Sequence, residues 1–378
     1  MKYIGIDCRG IEEKQTGIGN YTKSLLSEIV KEDKNNIYYL IFNQNNIFLK
    51  YKEQYTKYKN VKVVSIFSKR QNPLSEITLA FELRGLKIDL FWTDIWGSVY
   101  YHGVDYVLSL HDIIGVKRKD FVSLKYRIYN LFHLKWTVKH ASFVFVPTKA
   151  VKDDIIKYLK IRKGSRLHRF GPKIIKVTGE GLTRLRSSVD PELDNGTFEN
   201  ISKKYGIKNP YFIYVGNDRP HKNIEGLVKT FISFKKKYKN GAHLILCGVP
   251  RNNKYIKKRN KSYIEALGYV SESEKFALLE HAVAFVTLSF DEGFGLPLLE
   301  ATASGCPVVC SDIPVFREIM GDSGSIFVDP YRVRPVAKSL NLLYSDNIKR
   351  DDLVKEAKKN LKRFSWTKTA KRILKYLR

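Results

Sequence analysis

Two glutamates, Glu292 and Glu300, lie in the run DEGFGLPLLEATASGCPVVC at residues 291–310. Between them, Gly293, Phe294, Gly295 and Leu296 form a turn ahead of Pro297, and the spacing predicts a helix over 298–304. Glycines at 293 and 295 let backbone N–H groups come close to a ligand. Pro297 suits the first turn of a helix, whose unpaired N–H groups attract phosphate. A turn of this kind can seat a diphosphate. Glu300, about one turn into the helix, is placed to accept hydrogen bonds from a ribose diol, and Glu292, at the end of the preceding strand, to face a sugar. A glycine-rich turn flanked by surface glutamates also occurs in proteins with no such task, and spacing alone leaves both readings open.

A second constellation is YFIYVGNDRPHKN at residues 211–223, where a strand ends at Gly216 and is followed by Arg219, His221 and Lys222. Cations at the carboxyl end of a parallel strand stand over the crevice where such sheets bind ligands, and there they can neutralise a diphosphate. Lys222 is the first choice for this role, whereas Arg219 by itself reads as a charged turn. Near the start of the chain, Gly17 and Gly19 sit in a loop after the first strand, ahead of Asn20 and Tyr21. Two glycines before a helix also relieve a tight turn. His111 and Asp112 follow the apolar run 106–110, as a ligand-facing pair or as a packing histidine beside a capping aspartate. Thr148, ahead of Asp153 and Asp154, reads as a helix N-cap.

The elements that must hold these residues alternate. Strand patterns at 2–8, 38–42, 61–66, 90–92, 106–110 and 143–146 are separated by helical stretches, among them 21–30 with Leu25, Leu26 and Ile29 on one face. From 177 to 204 the periodicity breaks into Gly179, Gly181, Ser187, Ser188, Pro191, Asn195 and Gly196, which predicts an inter-domain connection. Strand patterns resume at 211–215, 243–247, 285–288, 307–310 and 325–328. Helical spacing follows at 336–343 and 353–361, and then a basic helix begins with Trp366 buried at its start. The expectation is an α/β protein with two Rossmann-like domains, 1–185 and 205–362, and a C-terminal helix, 363–378, returning to the first.

Residues 291–310, 211–223 and 16–21 together resemble the large retaining glycosyltransferase family 4. That family includes sucrose synthases, bacterial glycogen synthases and many bacterial mannosyltransferases, and the last are the nearest in look. The resemblance implies two facing Rossmann-like domains (GT-B), with the nucleotide mostly on the second domain and the acceptor on the first. It implies a diphosphate role for Lys222, with His221 standing where the family commonly has arginine and Arg219 as a candidate replacement. It also implies a ribose role for Glu300, an orienting and electrostatic role for Glu292, and a sugar contact for His111 with Asp112 as its neighbour. Gly17 and Gly19 fall near the phosphates, Asn20 and Tyr21 on the acceptor side, and Gly216, Gly293, Phe294, Gly295 and Leu296 around the donor. No cofactor is implied beyond the donor substrate, GDP-mannose as first choice or a UDP-sugar, and no metal. A phosphorylase or a sugar-nucleotide epimerase uses a similar architecture and stays as an alternative.

Composition adds a partner class. Sixty-seven basic against thirty-eight acidic residues give a net charge of +29, which speaks for an anionic partner or surface, although a lysine-rich surface alone gives the same number. Over 117–139, Lys117, Arg118, Lys119, Lys125, Arg127, Lys135 and Lys139 mix with Phe121, Leu124, Ile128, Leu131, Phe132 and Trp136, a blend that predicts an amphipathic helix. Lys157, Lys160, Arg162, Lys163, Arg166 and Arg169 form a second basic run. Anionic lipid is the expected partner, with a glycan, polyprenyl-diphosphate-linked or lipopolysaccharide-type acceptor at the inner face of a plasma membrane and a cytoplasmic, peripheral location. Nucleic acid is the rival partner suggested by charge and by twenty-three tyrosines, but these are spread along the chain and no recognised module accompanies them. Cys8, Cys247, Cys306 and Cys310 lie in apolar runs without CxxC spacing, as small core residues do. P-loop, HExxH and GxSxG patterns are absent from the sequence, as is a DxD step.

Overall fold

The computed structural model describes residues 1–11, 17–68, 73–94, 103–160, 174–182 and 198–377. They divide into two compact units, one of Met1–Gly181 with Phe364–Arg378 and one of Leu182–Arg363. The first unit is built on β1 (Tyr3–Asp7), β2 (Ile37–Asn43), β3 (Val61–Ile66), β4 (Leu90–Thr93), β5 (Asp105–Ser109), β6 (Phe143–Val146) and β7 (Ile175–Val177). These pair in the order β3-β2-β1-β4-β5-β6-β7, every neighbour parallel. Between them run α1 (Gly17–Glu32), α2 (Asn46–Tyr55), α3 (Pro73–Gly85), α4 (Ile114–Lys117), α5 (Leu124–His140) and α6 (Lys149–Tyr158).

The second unit opens with α7 (Phe198–Tyr205) and carries β8 (Tyr211–Val215), β9 (His243–Cys247), β10 (Ile264–Gly268), β11 (Ala284–Thr287), β12 (Val308–Ser311) and β13 (Ile326–Val328). Their order, β10-β9-β8-β11-β12-β13, is again wholly parallel. Its helices are α8 (Ile224–Tyr238), α9 (Glu272–Glu280), α10 (Leu296–Ala303), α11 (Pro314–Met320), α12 (Val333–Ser345) and α13 (Asn347–Leu361), and α14 (Trp366–Leu377) closes the chain in the first unit.

Strands covered by helices on both faces must be apolar throughout, and β8 (YFIYV) and β9 (HLILC) are. Phe212 and Tyr214 of β8 and Leu244 and Leu246 of β9 meet Leu227, Phe231 and Phe234 of α8 in one core. In the first unit, α1 buries Tyr21, Leu25, Leu26, Ile29 and Val30, and α14 buries Trp366, Thr369, Ala370, Ile373, Leu374 and Leu377, each a stripe of helical period. The apolar members of both stripes share one cluster with Ile4, Ile6, Tyr38 and Trp92, so α14 completes the core of the first unit. All four cysteines are buried, and burial pushes the thiols of Cys247, Cys306 and Cys310 up to about 12, which makes them inert core residues.

Three expectations are revised. Gly17, Gly19 and Asn20 belong to the first turn of α1 and not to a loop before it; the space around Gly17 is open, and both glycines accept ordinary helical angles. The helix expected over 117–139 is two pieces, because Arg118 turns extended and Ser123 caps a new helix by accepting from the Tyr126 N–H at 3.3 Å. In α5, Leu124, Ile128 and Phe132 are exposed while Asn130, Leu134, Thr137 and Val138 are buried. The connection expected over 177–204 has structured ends, with β7 at one and α7 at the other. Ser187, Ser188, Pro191, Asn195 and Gly196, like Thr16 and the basic residues Arg162, Lys163, Arg166 and Arg169, lie outside the described residues. Among the described residues no helix is long and apolar enough to cross a membrane.

The described tryptophans, Trp92, Trp136 and Trp366, all fall within the first unit, so their indole fluorescence reports on that unit. A Cβ placed on Gly181 would lie 2.2 Å from the backbone N of Trp366, whereas one on Gly241 would meet nothing within 4 Å. Gly181→Ala should therefore destabilise the fluorescence-detected urea transition by about 1–3 kcal/mol, and Gly241→Ala should leave it unchanged. Equal midpoints for Gly181→Ala and the wild type would show that α14 is not seated against this loop.

Candidate active site

In the second unit the site residues emerge from the carboxyl ends of β8 and β11, which are neighbours in the sheet. After β8 the chain reaches Gly216, where a Cβ would come within 2.5 Å of Tyr214 Oη, and then a single 3-10 turn, Pro220–Lys222. Asn223 ends that turn in the left-handed region at φ 55° and caps α8, accepting from the Gly226 N–H at 3.0 Å. After β11 the chain runs to Gly295, which precedes α10 at φ 108° with no side chain to cap it. Its missing Cβ would fall 2.9 Å from the Phe316 ring, so the close approach itself requires glycine. Pro297 lies in the first turn of α10, as its type predicts.

The two loops are bound to each other. Phe290 N–H donates to the His221 carbonyl at 2.8 Å, and Lys222 Nζ reaches both carboxylate oxygens of Glu292 at 2.6 and 2.8 Å. Both side chains are largely buried, so the cation and the carboxylate hold each other in place at the strand ends. Arg219 stands on the same loop with its side chain exposed, its N–H held by Asn217 Oδ1 at 3.2 Å.

Glu300 takes a different partner. It lies buried in α10 and accepts from Lys275 Nζ at 2.7 Å; the same ammonium reaches Glu272 at 2.8 and 3.0 Å. Burial raises the pKa of Glu300, an effect that Lys275 partly reverses. Burial by itself would lower the pKa of Lys275, and the charges of Glu300 and Glu272 more than offset it. Lys275 therefore stays an ammonium, held against the Glu300 carboxyl. The sequence reading missed Lys275. Its signal was faint, a lysine in a charged first turn whose capping box, Ser271 with Glu274, marks only where α9 begins.

The first unit gathers its own group of site residues. His111 follows β5, its ring meets Tyr21 edge-on with centroids 4.5 Å apart, and Tyr21 Oη lies 3.3 Å from Ser109 Oγ, which Trp92 Nε1 also reaches at 2.9 Å. Asp112 accepts from the Ile114 N–H at 2.9 Å ahead of α4, whose N-cap position is Ile113 without a side-chain cap. Asn20, partly buried, and Gly19 occupy the first turn of α1, where Gly17 is exposed. Thr148 caps α6 by accepting from the Val151 N–H at 3.2 Å. A small cavity beside α1 is lined by Asp7, Tyr21, Thr22, Trp92 and Asp94. The sequence reading also missed the fully buried pair of Arg9 and Asp7, joined through two 2.8 Å contacts. Thr93 Oγ donates to Asp7, and Arg9 donates to the Ser68 carbonyl, so the pair ties the end of β1 to the ends of β3 and β4.

Residues 197–360 match the family described as glycosyl transferases group 1. The O-antigen chain mannosyltransferase RfbU of Salmonella typhimurium is 32% identical over 229 residues, which are 59% of this chain and 56% of that protein. O-antigen chain mannosyltransferase B of Escherichia coli is 32% identical over 162 residues, 41% of this chain and 42% of that one. The chain thus spans about half the length of these curated relatives. Among solved structures, HepE of Anabaena in complex with UDP and glucose superposes with a TM-score of 0.71 at 17% identity, covering 100% of this chain and 99% of that one. WaaG, a glycosyltransferase involved in lipopolysaccharide biosynthesis, gives 0.71 at 13% identity over 98% of each chain. These structures share the GT-B fold with this protein. The match to the glycosyl transferases group 1 covers the stretch that carries Lys222, Glu292 and Glu300.

Proposed function

We propose that the protein transfers a hexose, mannose from GDP-mannose as first choice, to a glycan, polyprenyl-diphosphate-linked or lipopolysaccharide-type acceptor in cell-surface polysaccharide synthesis. Transfer proceeds with retention and without a metal. The observation that carries the reading is the pairing of Lys222 with Glu292 in the turn that leads into the uncapped N-terminus of α10. As the glycosidic bond breaks, the leaving diphosphate gains negative charge, and an ammonium with a helix N-terminus stabilises it without reorganisation. In the free protein Glu292 keeps Lys222 neutralised and fixed, so the donor diphosphate must share or replace that partner. Glu292 then orients the sugar, the leaving phosphate assists removal of the acceptor proton, Glu300 holds the ribose diol and His111 contacts the sugar. The mannosyltransferase names of the relatives favour mannose, while HepE was found with UDP. Thermal-shift measurements across GDP-mannose and UDP-sugars, followed by mass analysis of the product, test the donor.

α5 supports a membrane-surface location. Leu124, Ile128 and Phe132, four residues apart and exposed, are accompanied by exposed Lys125, Lys135 and Lys139. A lysine near an anionic bilayer contributes about 1 kcal/mol, and exposed apolar side chains add their burial.

Three outcomes follow from this reading. Lys222→Ala removes a cation whose contact strengthens in the transition state and should lower kcat on the order of 10² to 10³. Glu300→Gln and Lys275→Met should instead raise the donor KM more than they lower kcat, since ribose is held equally before and during transfer. Near-normal kcat and kcat/KM in Lys222→Ala, with both collapsed in Arg219→Ala, would assign the phosphate to the other cation. Activity should survive EDTA; a loss reversed only by added manganese or magnesium would overturn metal-independent transfer. Finally, the protein should sediment with vesicles containing anionic lipid and detach as salt rises. Equal binding to neutral vesicles, or none to either, would remove electrostatic anchoring.

A further inference from the structure

His111 stands at the end of β5 and Glu180 just past β7, with β6 between these strands, and imidazole Nδ1 lies 3.3 Å from Glu180 Oε1. The Glu180 side chain is only 5% exposed, a setting in which a carboxylate requires a partner. The other ring nitrogen, Nε2, is buried and meets no hydrogen-bond partner among the described residues. A buried polar atom left in that state costs stability, and a ligand hydroxyl satisfies it.

The loop that carries Glu180 is fixed by α14. Arg372 Nη1 donates to the Thr178 carbonyl at 2.9 Å. Gly179 has φ 76°, and a Cβ there would lie 3.0 Å from Arg372, while Gly181 packs directly on Trp366. Trp366 meets Tyr21 edge-on at 5.5 Å, and Tyr21 meets His111 at 4.5 Å. The contacts close into a ring from Glu180 through His111, Tyr21 and Trp366 to Gly181.

We propose that Glu180 is a positioning residue for His111, holding the imidazole with its Nδ1–H directed at the carboxylate and presenting Nε2 as the hydrogen-bonding group for a hydroxyl of the sugar or the acceptor. The identity of that hydroxyl-bearing ligand rests on the glycosyltransferase reading; the orientation of the ring does not. The charged groups facing His111 are Glu180, Asp94 and Asp112, and Tyr21 is the other titratable neighbour. Burial alone would lower the imidazole pKa; the hydrogen bond and charge of Glu180, followed by the two aspartates, outweigh it and hold the pKa above its ordinary value. Taking away the Glu180 charge removes the largest raising effect, so the pKa must fall.

The test uses the full chain with 15N-labelled imidazoles, the His111 signal being assigned among eight histidines by its loss in His111→Asn. The wild type should show the Nδ1–H tautomer at high pH and a His111 pKa above ~6.5. In Glu180→Gln the pKa should drop, and kcat/KM should fall about tenfold, the equivalent of one charge-assisted hydrogen bond. The limb of the pH profile that His111→Asn abolishes should move to lower pH by the same amount, with partial return in Glu180→Asp. An Nε2–H tautomer in the wild type, an unchanged pKa in Glu180→Gln, or lost activity with an unmoved limb each overturns the inference. The wild-type tautomer decides even if Glu180→Gln does not fold. The spectra need no turnover, so a wild type that consumes no nucleotide sugar sinks the transfer reading and leaves the positioning of His111 to be judged separately.

Discussion

A parallel sheet cannot be joined by hairpins; each strand must be followed by a crossover, and the crossovers cover both faces with helices. Only the strand ends remain for chemistry. Four of the groups assigned a task in this protein obey that constraint: Lys222 and Glu292 follow β8 and β11, His111 follows β5 and Glu180 follows β7. In both sheets the order changes direction at the first strand of the unit, β1 and β8, and the segments that follow them carry Gly17 to Tyr21 and Gly216 to Lys222. A switch point leaves the crevice open where neighbouring connections part to opposite faces.

The second pattern is that the acids and bases at these ends are already paired. Lys222 with Glu292, Lys275 with Glu300 and Arg9 with Asp7 are ion pairs with little exposure. A buried charge without a partner is expensive, and pairing keeps it ionised. On a chain of +29 the surface attracts anions without discrimination, but discrimination at the strand ends requires cations held at fixed points. Each carboxylate partner supplies that fixation.

Most of the strands were legible as short apolar runs, since β8 and β9 need no alternation to identify them. β10 was not, because its register against β9 shifts between Ala266 and Gly268, and such an irregularity spoils the period of two. β7 is three residues long and gives a periodicity argument too little to work on. Among the site residues, the glycine turn, Pro297 and the capping role of Thr148 were visible because backbone geometry restricts those positions locally. Lys275 and Glu180 were not, because each acquires meaning only from a residue distant in sequence, Glu300 for one and His111 for the other. Glu180 sits between two glycines, and that placement was read as part of an inter-domain connection when it marks a close approach to α14.

α14 was expected as a basic helix with Trp366 buried at its start, and the structure gives it a buried stripe of Trp366, Ala370, Ile373, Leu374 and Leu377. That stripe is covered by α1 and the core beneath it, so the last residues of the chain finish the first unit. The chain therefore passes between its two units twice, near residue 182 and near residue 363. This connectivity places Trp366 against Gly181 and Tyr21, and through them against Glu180 and His111. A helix that looks like a stability element by composition thus also determines where an imidazole points. For the same reason, substitutions on the buried stripe of α14 act on the site by moving a loop, not by touching a ligand.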